Sequence, residues 1–220
     1  MREEKLSVAL QYDDCLPASS DREMRNKFIV SVWIVCLLMF LADSCSKESA
    51  APTVITGETP CSSLVASKSV TIGKYSTSYS GSLGYEFKTT ADGHVTGFGL
   101  ASPVTGTFGL VLYKVDSVSK TGTVVASQSL TLAVGDTAAF KFKYVSLSSK
   151  VAILKGVYYR VVANGAFSNY DYITIPFGTL PLTSPSEPKF KFTKGVYGLT
   201  YPDGEFTGFI FPADVVIQFP

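Results

Sequence analysis

An antiparallel, all-β sandwich is the fold that this chain of 220 residues predicts. Apolar and polar residues alternate with period two in many short runs, and turn signals punctuate those runs. Beyond residue 68, no window of a dozen residues shows a 3.6-residue apolar stripe. Strands without helical crossovers pair antiparallel, and each sheet must bury one face against another. A jelly-roll-like sandwich follows, with a closed barrel as the alternative.

The chain ahead of the strands reads as separate parts. Residues 1–23 are a charged stretch, either a misassigned start or a disordered leader, because a complete export signal begins at Met24. Arg25 and Lys27 supply a positive n-region, and Phe28 to Ala42 an apolar h-region. That run is short for a membrane span, which needs roughly 20 apolar residues. Residues 24–44 are therefore expected to be a lipoprotein signal peptide and Cys45 the lipid-attachment residue. Secretion without lipid and an uncleaved anchor helix are the alternatives. Two or three acyl chains would hold the protein stably at a membrane, whereas one gives marginal binding. Residues 45–67, rich in Ser, Thr, Ala and Pro, are expected to be a flexible tether, and residues 68–220 the β-sandwich domain. Of the four cysteines, Cys15 and Cys36 would be removed, Cys45 acylated and Cys61 left without a partner, so no disulfide framework can form.

Within 68–220, Tyr85-Glu86-Phe87-Lys88, Phe140-Lys141-Phe142-Lys143-Tyr144 and Lys189-Phe190-Lys191-Phe192-Thr193 place aromatics on one face and charges on the other. Further β-rich runs are His94 to Leu100, Phe108 to Val115, Thr123 to Leu130, Val157 to Ala163, Tyr172 to Pro176 and Phe206 to Phe219. Asp92-Gly93, Gly135-Asp136, Asn164-Gly165 and Asp203-Gly204 mark turns between them. Pro212 suits a strand start or an edge, since it cannot donate to a ladder. The net charge is +1, and the lysines alternate with aromatics along strands rather than clustering. That pattern speaks against a nucleic-acid partner.

Ser82-Leu83-Gly84-Tyr85-Glu86-Phe87, Gly93-His94-Val95-Thr96-Gly97-Phe98 and Thr105-Gly106-Thr107-Phe108, with Leu112-Tyr113 following, resemble the opening of the bacterial domain of unknown function 4082. Its members typically read "L-G-x-x-F", "G-x-V-T-G-I-R-F", "T-G-T-H" and "L-W" in that order. Gly195-Val196-Tyr197-Gly198 and Ala213-Asp214-Val215-Val216 resemble its later segments. Tyr113 stands where that family usually has Trp, and Phe108 where it often has His. The segment Leu41 to Cys45 resembles a lipobox, and Ser46-Lys47-Glu48 is similar to the flank of surface-exposed lipoproteins of the Bacteroidota. These resemblances imply a β-sandwich at the bacterial outer membrane or cell surface, with no assigned activity.

The chemistry-bearing residues are few. His94 is the only histidine, and it follows an Asp-Gly turn, where a solvent-facing role outweighs a catalytic triad. One histidine and one spare cysteine cannot supply a zinc set, and no Asp/Asn run resembles a calcium loop, so neither metal nor cofactor is expected. Glu86, Asp92, Asp171, Asp203, Glu205 and Asp214 could in principle form a glycosidase pair, but most are expected at turns or on solvent faces. Tyrosine offers a flat apolar face and a polar tip suited to a sugar ring or a protein partner. Tyr170, Tyr172, Tyr201 and Asp203, near loops, are the candidate ligand-binding residues. The expected function is a non-catalytic, lipid-anchored surface domain recognising an extracellular glycan or protein. A structural or accessory envelope lipoprotein comes second and a polysaccharide hydrolase third.

Overall fold

Alternation along four strands builds the central layer: β2 (Tyr79–Thr89), β4 (Gly106–Val115), β7 (Tyr158–Phe167) and β10 (Phe190–Gly198). The computed structural model describes residues 56–176 and 179–220; the export signal and Cys45 lie outside them. With β5 (Gly122–Leu132), β9 (Leu182–Thr183) and β11 (Gly204–Phe206), these strands form a seven-stranded sheet. Its order is β11-β10-β2-β7-β4-β5, with β9 pairing β10. Two three-stranded sheets complete the fold. One is β1 (Thr71–Lys74), β8 (Asp171–Thr174) and β12 (Phe209–Ile210), ordered β1-β8-β12. The other is β13 (Ala213–Gln218), β3 (Gly93–Leu100) and β6 (Lys143–Ile153), ordered β13-β3-β6. Every pairing is antiparallel. The expected all-β sandwich is the fold observed.

One buried cluster draws on all three sheets. Phe87 opposes Tyr159 and Phe192 across β2, β7 and β10, and its ring stacks on Phe190 at 4.5 Å and on Tyr159 at 5.7 Å. Phe98 and Val215 enter from β3 and β13, and Ile173 and Ile210 from β8 and β12. Gly73, Gly99 and Gly204 sit directly opposite aromatics whose rings cover them, Tyr172, Tyr144 and Tyr197. Each ring lies over its glycine, where a Cβ would collide with it. The ring thus covers backbone that glycine leaves bare. At Gly84, a Cβ would run into the Val161 carbonyl oxygen, so β2 and β7 approach there only as closely as glycine permits.

Four expectations change. Asn164-Gly165, expected as a turn, lies within β7, paired with Ser82 and Gly81 of β2. Residues 60–66 of the expected tether form a helix, α1 (Pro60–Ala66), with Pro60 at the first helical position. Cys61 and Leu64 are fully buried in the core, and Glu58 pairs with Ile217 through two backbone hydrogen bonds, so the folded domain begins before residue 68. Seven residues, of which Pro60, Cys61 and Leu64 are buried, are too short to show a helical stripe. The Phe140–Tyr144 alternation is not one strand, because Phe140 lies at φ 52° in a turn and β6 begins only at Lys143. The Phe206–Phe219 run is three strands, broken at 207–208 and at Phe211-Pro212.

Candidate functional site

Tyr170 and Tyr172 flank Asp171, and because side chains alternate along β8, Asp171 points inward while the tyrosines do not. They meet Tyr75, which follows β1. Tyr75 and Tyr170 stack with centroids 5.4 Å apart and planes 2° apart, and Tyr172 meets Tyr75 edge-on at 6.0 Å. The row continues from Tyr172 to Phe209 at 5.3 Å, Phe206 at 4.3 Å and Tyr197 at 4.4 Å. It follows the seam between the β1-β8-β12 sheet and the β10–β11 edge. Its ends are the open parts, with Tyr75 47% and Tyr197 37% exposed. Tyr170 also packs on Tyr79, Phe167 and Phe211, which anchors the row to the core.

Tyr201 and Asp203 belong to another place. The loop after β10 folds over the outer face of the seven-stranded sheet, where Tyr201 meets Tyr113 edge-on at 5.2 Å and donates its hydroxyl to the Lys120 carbonyl at 3.1 Å. Beneath it lies Arg160, 1% exposed, with its guanidinium 5.4 Å from the Tyr201 ring centroid. Arg160 donates Nε to Glu86 at 3.0 Å, Nη1 to the Pro202 carbonyl and Nη2 to Glu205 at 3.4 Å. Lys194 pairs with Glu205 and lies 3.6 Å from Glu86, which also accepts from Thr193 at 3.0 Å. Asp203 itself is exposed. The four candidates therefore split between two surfaces, and Tyr201 acts as a cover on Arg160. A single arginine inside the apolar run Tyr158 to Val162 was the one sequence signal for this centre.

Beside the network the outer face hollows into a groove of about 400 Å³, walled by Leu180 and Pro181 and continuous in lining with a neighbouring hollow of about 460 Å³ through Val115, Ser117 and Tyr158.

The carboxylates correct the expectation of turns and solvent faces. Glu86, Asp171 and Asp214 are buried. Asp214 accepts the Cys61 and Val215 N–H groups on Oδ1 at 3.0 and 2.9 Å, and the Ser62 N–H and Tyr144 hydroxyl on Oδ2 at 2.9 and 3.0 Å. It thereby caps α1 from β13. Burial pushes its carboxyl up to about 7 against the pull of those donors. Burial also raises Asp171, whose Oδ1 has no hydrogen-bond partner. Asp92 accepts the Lys155 N–H at 2.7 Å in its turn, and His94 is exposed at the start of β3. Glu86 and Glu205, joined through Arg160 and Lys194, are both held in ion pairs, whereas a glycosidase acid must carry a proton to its leaving group. Among the described residues, no group of three or more His, Cys, Asp or Glu could hold a metal, and no helix is long and apolar enough to cross a membrane. Neither a scan against protein-family models nor a search of curated proteins returns a match for this chain.

Proposed function

We propose that this chain is a non-catalytic, lipid-anchored surface domain that recognises an extracellular glycan laid along the aromatic row. The observation that supports this is the row itself: aromatic rings spaced 4.3 to 6.0 Å apart, with tyrosines exposed at both ends. Tyrosine faces offer apolar area to the C–H side of a pyranose, and their hydroxyls offer polar contacts at its rim. A strip, rather than a closed pocket, suits a chain ligand. Tyr170 and Tyr172 carry over from the sequence expectation, and Tyr75, Tyr197, Phe206 and Phe209 join them. The kinship with domain of unknown function 4082 and the Bacteroidota-type surface location belong to the same proposal.

A glycan array probed with the purified protein tests the reading. Binding to at least one extended neutral glycan is expected, weakened at least about tenfold by Tyr75→Ala and by Tyr197→Ala with the folded β spectrum retained in circular dichroism. No glycan bound, with a co-purified envelope protein lost in the same variants, would replace the glycan by a protein ligand. The anchor is tested separately: Cys45→Ala should abolish incorporation of an alkyne fatty acid, and label retained by that variant would reject Cys45 as the attachment site.

A further inference from the structure

The outer face of the seven-stranded sheet carries a second surface, independent of the aromatic row. Three lysines line the groove from three different elements, Lys88 on β2, Lys120 on the turn after β4 and Lys194 on β10, while Lys114 lines the neighbouring hollow. The local carboxylates are already committed. Glu86 and Glu205 are tied to Arg160 and Lys194, and Asp116 accepts the Val118 and Ser119 N–H groups of its own turn at 2.9 and 2.7 Å. Among the described residues, Lys88, Lys114 and Lys120 make no ion pair.

Like charges gathered in a concave surface repel one another and raise the local potential, a cost that a bound anion would relieve. The groove also offers more than charge. The Lys88 ammonium sits 5.2 Å from the Tyr158 ring centroid and 3.4 Å from its hydroxyl, so cation and aromatic are held side by side. Ser117 and Thr193 add hydroxyls to the lining. Ammonium groups match carboxylate or sulfate, an aromatic flank matches a sugar ring, and hydroxyls match its alcohols. At about 400 Å³, the groove falls in the range of small-ligand sites. The buried Arg160 network beneath holds the floor rigid.

We propose that this groove binds an anionic saccharide, one bearing carboxylate or sulfate groups. The site stands on different residues from the aromatic row, so either can fail without the other. Titration of the intact protein with tetragalacturonate, a heparin-derived tetrasaccharide and neutral maltotetraose, followed by NMR chemical shifts and calorimetry, tests it. At least one acidic sugar is expected to bind, shifting resonances of Lys88 and Tyr158, with affinity falling as salt rises. A Lys88→Ala/Lys120→Ala double variant should weaken binding at least about tenfold, while Tyr197→Ala leaves it unchanged. Tetragalacturonate carries carboxylates alone and the heparin fragment carries both groups, so binding of tetragalacturonate shows that carboxylate suffices, and binding of the heparin fragment alone assigns sulfate. Neither acidic sugar binding, maltotetraose binding equally well, or full affinity in the double variant would each overturn the proposal. Loss of acidic-sugar binding in Tyr197→Ala would also overturn it, by moving the anion to the row.

Discussion

Asp214 and Glu86 are both buried carboxylates, 0 and 4% exposed, and the two regions that hold them solve the same problem differently. On the outer face of the seven-stranded sheet, Glu86 is met by a cation, Arg160, which is itself capped by Tyr201 and Pro202. At the corner of β13 and α1, Asp214 meets no cation and is held by four neutral donors, three of them backbone N–H groups. An ion pair sets one charge against its opposite and depends on both partners. A nest of donors leaves the carboxyl titrating near neutrality, with burial as the dominant cause.

The largest effect should come from breaking the ion pair. Arg160→Ala leaves Glu86 buried beside only the more distant Lys194 and removes the support under Tyr201, and is expected to cost about 3–5 kcal/mol in urea unfolding. The double variant Arg160→Met/Glu86→Leu, which removes both charges in kind, should recover most of that loss. If the double is as unstable as the single, charge pairing is not what the site contributes.

Asp214 yields a pH dependence of defined sign. Its folded value is raised to about 7, above the ordinary carboxylate range, so the folded state binds the proton more tightly than the unfolded state does. That contribution is fully present below about pH 4, declines as pH rises and is lost above about pH 7. Thermal midpoints measured across this window should fall toward alkaline pH, and Asp214→Asn should flatten the slope. A wild-type midpoint rising through the same interval would reverse the assignment. Above about pH 8, where the wild-type carboxyl is ionised and accepts from all of its donors, the Asn variant turns an amide donor toward N–H groups that need acceptors, and should cost about 1–3 kcal/mol. Smallest of all, Asp171→Asn removes a buried charge whose Oδ1 has no partner, and is expected to change stability by less than about 1 kcal/mol.

Sequence pattern reached the strands whose two faces differ sharply in polarity. Tyr85 to Lys88 and Lys189 to Thr193 announce β2 and β10 because one face meets the apolar core and the other carries charged and polar side chains, Glu86 among them buried in its ion pair. It missed α1, whose seven residues and three buried side chains are too few to set a period, and it missed β1, whose only strong apolar residue, Ile72, is half-exposed. Tyr170 and Tyr172 were legible as aromatics near a loop, but their partners Tyr75 and Phe209 come from strands distant in sequence. Their meeting is a property of register rather than of local composition. Tyr201 looked like a free ring and is instead a cover, which could be known only once Arg160 was seen beneath it.

Glu58 and Ile217 exchange two backbone hydrogen bonds at 2.8 and 2.9 Å, and the Gln218 amide reaches back to the Thr56 carbonyl at 2.6 Å. The polypeptide thus enters and leaves the domain side by side, stitched strand to strand. In mechanical terms this is a clasp: a pull on the chain ahead of Thr56 is first borne by β13. The load falls on that stitch before it reaches the sheets that carry the aromatic row and the lysine groove.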